Sequence, residues 1–499
     1  MKKLIALVFI LLLAAAVTSA SGDSKSGLFS YTLKGNGTAI ITGFDWSTNG
    51  NNDIYLPRLI DGYTVTEIGK LAFSSDKAGY VNKNFSNEDF IDRNGVGKPV
   101  VVVLPDTISV INEKAFFCTN IASIVIPSSV QLIGQGAFAG CINLRQFSIE
   151  DGNQTYATIS GALYNKKTKE LVCAPAGSNE KVSIPNGIVS IGEYAFYGQE
   201  FHKDSYFSND TYPEISSSVK QIKAYAFAYS DFNPKDMKNE LDFNLNQIEV
   251  IEEHAFEGSI FGIIKMDAVK TIGDYAFNNA HCRIPGTHPK LQLPSSLEHI
   301  GRYSFSKFHN GNGNEYLEIW DIDLSNTQLK EIPPYAFSDF CSTAWDGEIL
   351  LPNSLLSIGE HAFENCRNKN EPYIGRYIKV IIPSNVTKIE AYAFNNTYIN
   401  LQFENDASLI EIGDYAFNTC GGSETITIPS TVVILGDHCF YSSEVKKLSI
   451  PSSVSSIGKD ICDRAMTKLE VEPGSYAALY ASENGYATEG NEDTSWLSN

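Results

Sequence analysis

Ile124-Val-Ile-Pro127-Ser-Ser-Val130-Gln-Leu-Ile133-Gly134-Gln-Gly-Ala137-Phe138 is the stretch that decides the fold. With Pro127 at zero, apolar residues fall at −3 (Ile124), −1 (Ile126), +3 (Val130), +6 (Ile133) and +11 (Phe138), with Gly134 at +7 and Ala137 at +10. Pro105, Pro185, Pro294, Pro352, Pro383 and Pro429 also have Phe eleven residues on, and Pro451 repeats the first half with Leu448, Ile450, Val454, Ile457 and Gly458. The Ala-Phe pair occurs from Ala72-Phe73 to Ala416-Phe417, with Ser304-Phe305 and Cys439-Phe440 as near copies, and its closest spacings are 21 to 23 residues. A period in the twenties implies stacked coils, because one coil cannot bury its own apolar face and must use its neighbours.

The frame mixes two periods. Positions −3 and −1 alternate as in a half-buried strand. Positions +3, +6 and +10 suit a helical turn or a tight irregular bend. Each coil therefore reads as a short strand, a proline that ends it and a returning arc, since proline has no N–H for a ladder. The glycine at +7 is expected to supply a backbone conformation closed to residues with a Cβ. Stacking places like on like, so the strands form a parallel sheet and the Phe residues a buried spine. The predicted fold is a right-handed solenoid of about fourteen coils, with the sheet on the concave face and short helical or irregular arcs on the convex face.

The run Ser-Ile-Val-Ile-Pro-Ser-Ser-Val with Ile-Gly and Ala-Phe behind it resembles the BspA-type leucine-rich repeat of bacterial surface proteins. Ile60 to Gly69 is similar to that family's first repeat, Tyr156 to Pro175 to its hairpin-like insert, and Gly474 to Tyr480 to its closing segment. The resemblance covers residues 28 to 487. It implies a secreted or cell-surface protein that mediates protein–protein interaction, with adhesion to host or extracellular matrix proteins such as fibronectin and fibrinogen, and coaggregation. A carbohydrate- or peptide-binding scaffold of a nutrient-capture system is the alternative.

Residues 1–20 read as a signal peptide: Lys2 and Lys3, an apolar run Leu4 to Val17, and small residues up to Ala20. The run is too short for a typical membrane span, and no span is expected in the mature chain. The expected layout is a β cap over 28–55, repeats over 56–465, a C-terminal cap over 466–487 with a short helix from about Ser475 to Asn484, and a tail over 488–499. The chain of 499 residues carries a net charge of −20, which argues against nucleic acid or anionic lipid as partner.

Chemistry is sparse. No nucleophile elbow, zinc-protease motif, calcium loop or phosphate loop occurs, so no enzyme, cofactor or metal is expected. His254, His361 and His438 stand directly before the Ala-Phe place, where other repeats carry Tyr194, Tyr225, Tyr275 or Tyr392, and so read as repeat-position residues. The nine cysteines are an odd number. Cys141, Cys366 and Cys420 lie three residues after a spine Phe, Cys439 takes an Ala place and Cys462 a Phe place. These read as buried thiols, with a Cys118–Cys141 bridge between adjacent coils left open. The candidate ligand-binding surface lies at positions −2 and −4 of the strands: Val103, Val125, Lys181, Gln292, Leu350, Ile381, Lys379 and Thr427, with Ser183, Lys290, Glu348, Lys447 and Ser449 in the same frame. Val103, Val125, Leu350 and Ile381 are expected to face outward as an apolar patch. Simple strand propensity would also place apolar residues there. The insertions after Phe73, Phe196, Phe305 and Phe363 fit functional loops or loop drift equally.

Overall fold

The computed structural model describes residues 23–49, 52–74, 99–178, 180–199, 213–232, 243–261, 264–282, 290–311, 316–317, 321–340, 347–366, 377–441 and 443–488. The signal-peptide reading, the tail and most of the inserted loops lie outside them. The chain divides into two compact units, residues 1–168 with 172–179, and residues 169–171 with 180–499.

In the first unit an antiparallel entry of Ser24–Ser26, Phe29–Leu33 and Thr38–Phe44 leads into coils. Ile54–Tyr55, Val100–Val103, Ile121–Ile126 and Gln146–Ile149 pair in parallel, one strand per coil. The proline frame locates Val100–Val103 and Ile121–Ile126, and Gln146–Ile149 continues the ladder without a proline behind it. A second parallel ladder runs beside them through Tyr63–Ile68, Val110–Ile111 and Leu132–Ile133. It occupies frame positions +5 and +6.

The second unit repeats both ladders. The frame strands appear in Ser183–Ile184 with Glu214–Ile215, then in the five-stranded run Lys290–Gln292, Asp321–Asp323, Glu348–Leu350, Ile378–Ile382 and Ile399–Phe403, then in Thr425–Thr427, Lys447–Ile450 and Lys468–Val471. The second ladder joins Glu170 and Leu171 to Ser190–Ile191 and continues to His299–Ile300, and then runs from Glu331–Ile332 to Ser456–Ile457. His309–Gly311, within the insertion after Phe305, pairs antiparallel with Tyr316–Leu317. Among the described residues the helices are Trp46–Asn49 and Tyr476–Glu483. Ser475 caps the second one through its side chain, which accepts from the Ala478 N–H at 3.1 Å.

The arcs are tight turns, the second of the two options that the spacing left open. In most arcs two of the described residues take left-handed backbone conformations, and they are mostly not glycine: Tyr392 (φ 59°) and Asn396 (φ 57°), then Tyr415 (φ 55°) and Thr419 (φ 58°). Such a conformation costs an L-residue roughly 1–2 kcal/mol. Cross-coil hydrogen bonds hold it. Tyr392, Phe394 and Asn396 donate their N–H groups to the carbonyls of Asp414, Ala416 and Asn418, each at 2.8 Å. The same three-bond pattern links Tyr225, Phe227 and Tyr229 to Glu253, Ala255 and Glu257.

The glycine at +7 has a different role from the one expected. Gly134 and Gly413 are not among the positive-φ glycines. A Cβ on Gly134 would lie 2.4 Å from the Glu113 nitrogen, and one on Gly413 would lie 2.7 Å from the Ala391 nitrogen. The position is glycine because the next backbone passes too close for a methyl group. The left-handed residues stand two and six positions later, at +9 and +13.

The Phe spine fills the core. In the first unit Phe73 and Phe116 stack at 4.7 Å and Phe116 and Phe138 at 5.4 Å. In the second, Phe196, Phe227, Phe256, Phe277, Phe305, Phe337, Phe363, Phe394, Phe417 and Phe440 stack at 4.8–5.4 Å, all nearly parallel. All ten are buried. Parallel stacking of identical coils follows from the repeat, and it buries the largest apolar side chains in one continuous row.

Candidate functional site

The outward residues of the frame strands depend on parallel register. In the first unit Tyr55 lies opposite Val103, Val103 opposite Val125, and Val125 opposite Ser148. Neighbouring strands are about 4.8 Å apart, so these side chains form one row. Tyr55 is 68% exposed, Val103 39% and Val125 42%. The flanking residues Ile54, Leu56, Val102, Ile124 and Ile126 point the other way and are buried. The outward reading of Val103 and Val125 therefore holds. Tyr55 was missed because the expected β cap ends on it, yet Ile54-Tyr55-Leu56-Pro57 carries the same proline frame.

In the second unit the candidates are not gathered. Gln292, Leu350, Lys379 and Ile381 share the five-stranded sheet, whereas Lys181 precedes the strand Ser183–Ile184 and Thr427 lies in Thr425–Thr427 of another sheet. Leu350 and Ile381 are half-buried rather than exposed. Leu350 lies opposite Asp323 and Ile381 opposite Gln402. The lysines are engaged in ion pairs across strands: Lys181 with Glu214 at 2.8 Å, Lys290 with Asp323 at 2.6 Å, Lys379 with Glu348 at 3.1 Å and Lys447 with Glu470 at 3.1 Å. Thr427 faces Ser449, which faces Glu470. Asp323 is the buried member of this set. Burial pushes its carboxyl up. Hydrogen bonds from Lys290 and Ser325, with the Lys290 charge, outweigh that and hold it below the usual carboxylate range.

A second exposed apolar row lies at +4, beside the short ladder. Leu356 is 46% exposed, Ile410 49% and Val433 36%. Thr387 donates its N–H to Leu356 O, Ile410 to Thr387 O, and Val433 to Ile410 O, each at 2.8 Å, so they stand in register. The proline frame gave no reason to read +4 as outward, because it contains no second strand.

The histidines stand in the repeat column read from the sequence. His254 is stacked between Tyr225 (4.5 Å) and Tyr275 (4.8 Å), and His361 between Tyr335 (4.5 Å) and Tyr392 (4.7 Å). Their Nδ1 atoms lie 2.8 Å from Glu257 and 2.7 Å from Glu364. Burial, then the charges of Glu257 and Glu253, push the Tyr225 phenol up to about 12. No cluster of three metal-ligating side chains occurs among the described residues. Cys141 and Cys420 donate their S–H groups to the carbonyls of Phe116 and Phe394, at 3.0 and 3.1 Å. The hydroxyls of Thr119, Ser259 and Ser443 also donate to spine-Phe carbonyls. These cysteines are thus small polar caps on the spine, and not merely apolar fillers. Burial pushes the Cys141 thiol up to about 11.

Residues 100–170, 173–280, 220–370 and 373–471 match the BspA type leucine rich repeat region, in six copies. The chain belongs to this family. Its ladders and arcs are thus those of a leucine-rich repeat scaffold, the kind of framework that supports protein–protein contacts. Among solved structures, this BspA-type protein is similar to a leucine-rich repeat protein from Bacteroides ovatus ATCC 8483. Identity there is 18% and the TM-score 0.43, covering 94% of this chain and 99% of that one. It is also similar to a leucine rich cell surface protein from Faecalibacterium prausnitzii A2-165, with 16% identity and a TM-score of 0.35, covering 93% and 98%. The pneumococcal vaccine antigen PcpA matches with 14% identity and a TM-score of 0.27, covering 94% and 99%. No curated protein matches significantly. No helix among the described residues is long and apolar enough to cross a membrane.

Proposed function

We propose that this protein is a non-enzymatic interaction protein, secreted or held at the cell surface, that adheres to host or extracellular matrix proteins. The observation that supports this reading is the exposed row Tyr55, Val103 and Val125, backed by buried alternate residues of the same strands. An apolar row with an aromatic end on a rigid sheet matches what a protein partner buries at the centre of an interface. Tyr55 would serve as the anchor, since aromatic residues dominate such centres.

The test is a matrix-protein, host-cell and glycan panel probed with the full chain and with a Tyr55→Ser, Val103→Thr, Val125→Thr variant. Binding to one or more matrix proteins is expected, reduced at least tenfold in the variant while its melting temperature changes little. No wild-type binding to any protein or cell on the panel, or a signal confined to glycans, overturns the reading.

A further inference from the structure

We propose that Asn36 is an acceptor site for an N-linked glycan. The described residues contain four Asn-x-Ser/Thr triplets, beginning at Asn36, Asn153, Asn385 and Asn395. The triplet is a surface-loop acceptor when its side chain and backbone are accessible to the transferase, and the fold separates the four sharply.

Three of them are held inside coils. Asn153 is only 4% exposed, and its amide donates to Pro127 O at 2.9 Å and Val130 O at 3.2 Å. Asn385 is exposed, but its amide donates to Asn353 O at 2.8 Å, and the middle residue Val386 is fully buried in the core. Asn395 donates to Glu364 at 2.6 Å, and its partner Thr397 is fully buried with its hydroxyl on Phe363 O at 2.6 Å. Loading a glycan on Asn153 or Asn395 requires opening a coil, and on Asn385 it requires breaking the bond to Asn353.

Asn36-Gly37-Thr38 is different. It forms the tip of the hairpin between Phe29–Leu33 and Thr38–Phe44. Lys34 N–H donates to Thr38 O at 2.8 Å, and Gly37 N–H to Lys34 O at 3.2 Å, so the tip is a closed turn. Asn36 and Gly37 are exposed. The Thr38 N–H and hydroxyl both donate to Asn36 Oδ1, at 3.2 and 2.7 Å. This local turn of an Asn side chain onto the backbone two residues on leaves Nδ2 with no partner and presents it to solvent. Gly37 adds no side chain, and a Cβ there would meet nothing within 4 Å.

The reaction is a substitution without redox change. Nδ2 of Asn36 forms a bond to the anomeric carbon of a lipid-diphosphate-linked oligosaccharide. The bond from that carbon to the diphosphate oxygen breaks, the lipid diphosphate leaves with the electron pair, and Nδ2 gives one proton to a base of the transferase.

The test incubates the folded full chain with a single-subunit oligosaccharyltransferase and its lipid-linked donor, and reads each site by peptide mass spectrometry. The donor is supplied in vitro, so the result does not depend on export. Occupancy at Asn36 is expected to exceed that at Asn153 and Asn395 at least tenfold. It should vanish in Thr38→Ala and persist in Thr38→Ser. An unmodified Asn36 in the folded chain, or equal occupancy at Asn36, Asn153 and Asn395, overturns the proposal.

Discussion

Phe417→Ala removes one ring from the middle of the C-terminal spine. Phe417 is fully buried and stacks on Phe394 at 5.4 Å and Phe440 at 5.3 Å. Loss of the buried side chain costs about 1.5–3 kcal/mol in transfer alone. The two ring pairs add about 0.5–1.5 kcal/mol each, and the sum agrees with the roughly 3–5 kcal/mol found for buried Phe→Ala changes. Phe417→Leu keeps most of the volume and loses mainly the ring pairs, about 1–3 kcal/mol. In a chain of stacked coils the loss falls on the two interfaces that Phe417 shares, not on the whole unit. Native-state hydrogen exchange resolves this. The amides of Phe394 and Phe417, bonded to Ala416 O and Cys439 O at 2.8 Å, should exchange about a hundredfold to several-thousandfold faster, as about 1.4 kcal/mol corresponds to a tenfold change. Those of Phe227 and Phe256 should keep wild-type protection. A wild-type melting curve for Phe417→Ala, or protection lost evenly from Phe227 to Phe440, would refute the stacked-spine account.

Gly413→Ala places a methyl group 2.7 Å from the Ala391 nitrogen; it should cost about 1–3 kcal/mol by overpacking against an adjacent backbone, read as a lowered urea midpoint. Thr419→Gly should act in the opposite sense, because a β-branched residue at φ 58° is strained, and a rise of about 0.5–1 kcal/mol in unfolding free energy is expected; a loss would show that the Thr419 side chain outweighs its backbone. Lys290→Met leaves the buried Asp323 carboxylate without its cation and should destabilise by about 1–3 kcal/mol at neutral pH. The Asp323 carboxyl lies below its ordinary value, so its contribution in the wild type is present above about pH 4 and lost as pH falls through the lower folded value. The gap between the variant and wild type should therefore narrow under acid in pH-resolved chemical denaturation, and a constant gap would reject the ion-pair assignment.

The proline frame made the long strands and the Phe spine legible because both rest on side-chain type at fixed spacing. The second ladder was not legible. Two residues such as Leu132–Ile133 are too few to show an alternating period, although Ile133 was correctly counted as core. The arc conformation was hidden for another reason: Tyr392 and Tyr415 are bulky residues that local preference keeps out of left-handed backbone, and bonds from the neighbouring coil put them there. On the candidate surface, Val103 and Val125 were readable from their own strands. Lys290 was not, because its partner Asp323 comes from another coil, and parallel register places them together.

The arcs have a direction. In each of the arcs traced above, the three amides at +9, +11 and +13 face the following coil and the carbonyls that receive them face the preceding one. A stack built this way has an acceptor end and a donor end, and the two junctions traced above carry the same chemistry. Copying one complete coil therefore reproduces both of its mating faces, so such a gene can lengthen or shorten by whole repeats without inventing a new interface. A partial copy would leave amides opposite amides. Growth by duplication is thus restricted to multiples of the coil, and the acceptor end needs a donor of its own. Trp46 Nε1, donating to Phe73 O at 2.9 Å, supplies one at the first coil.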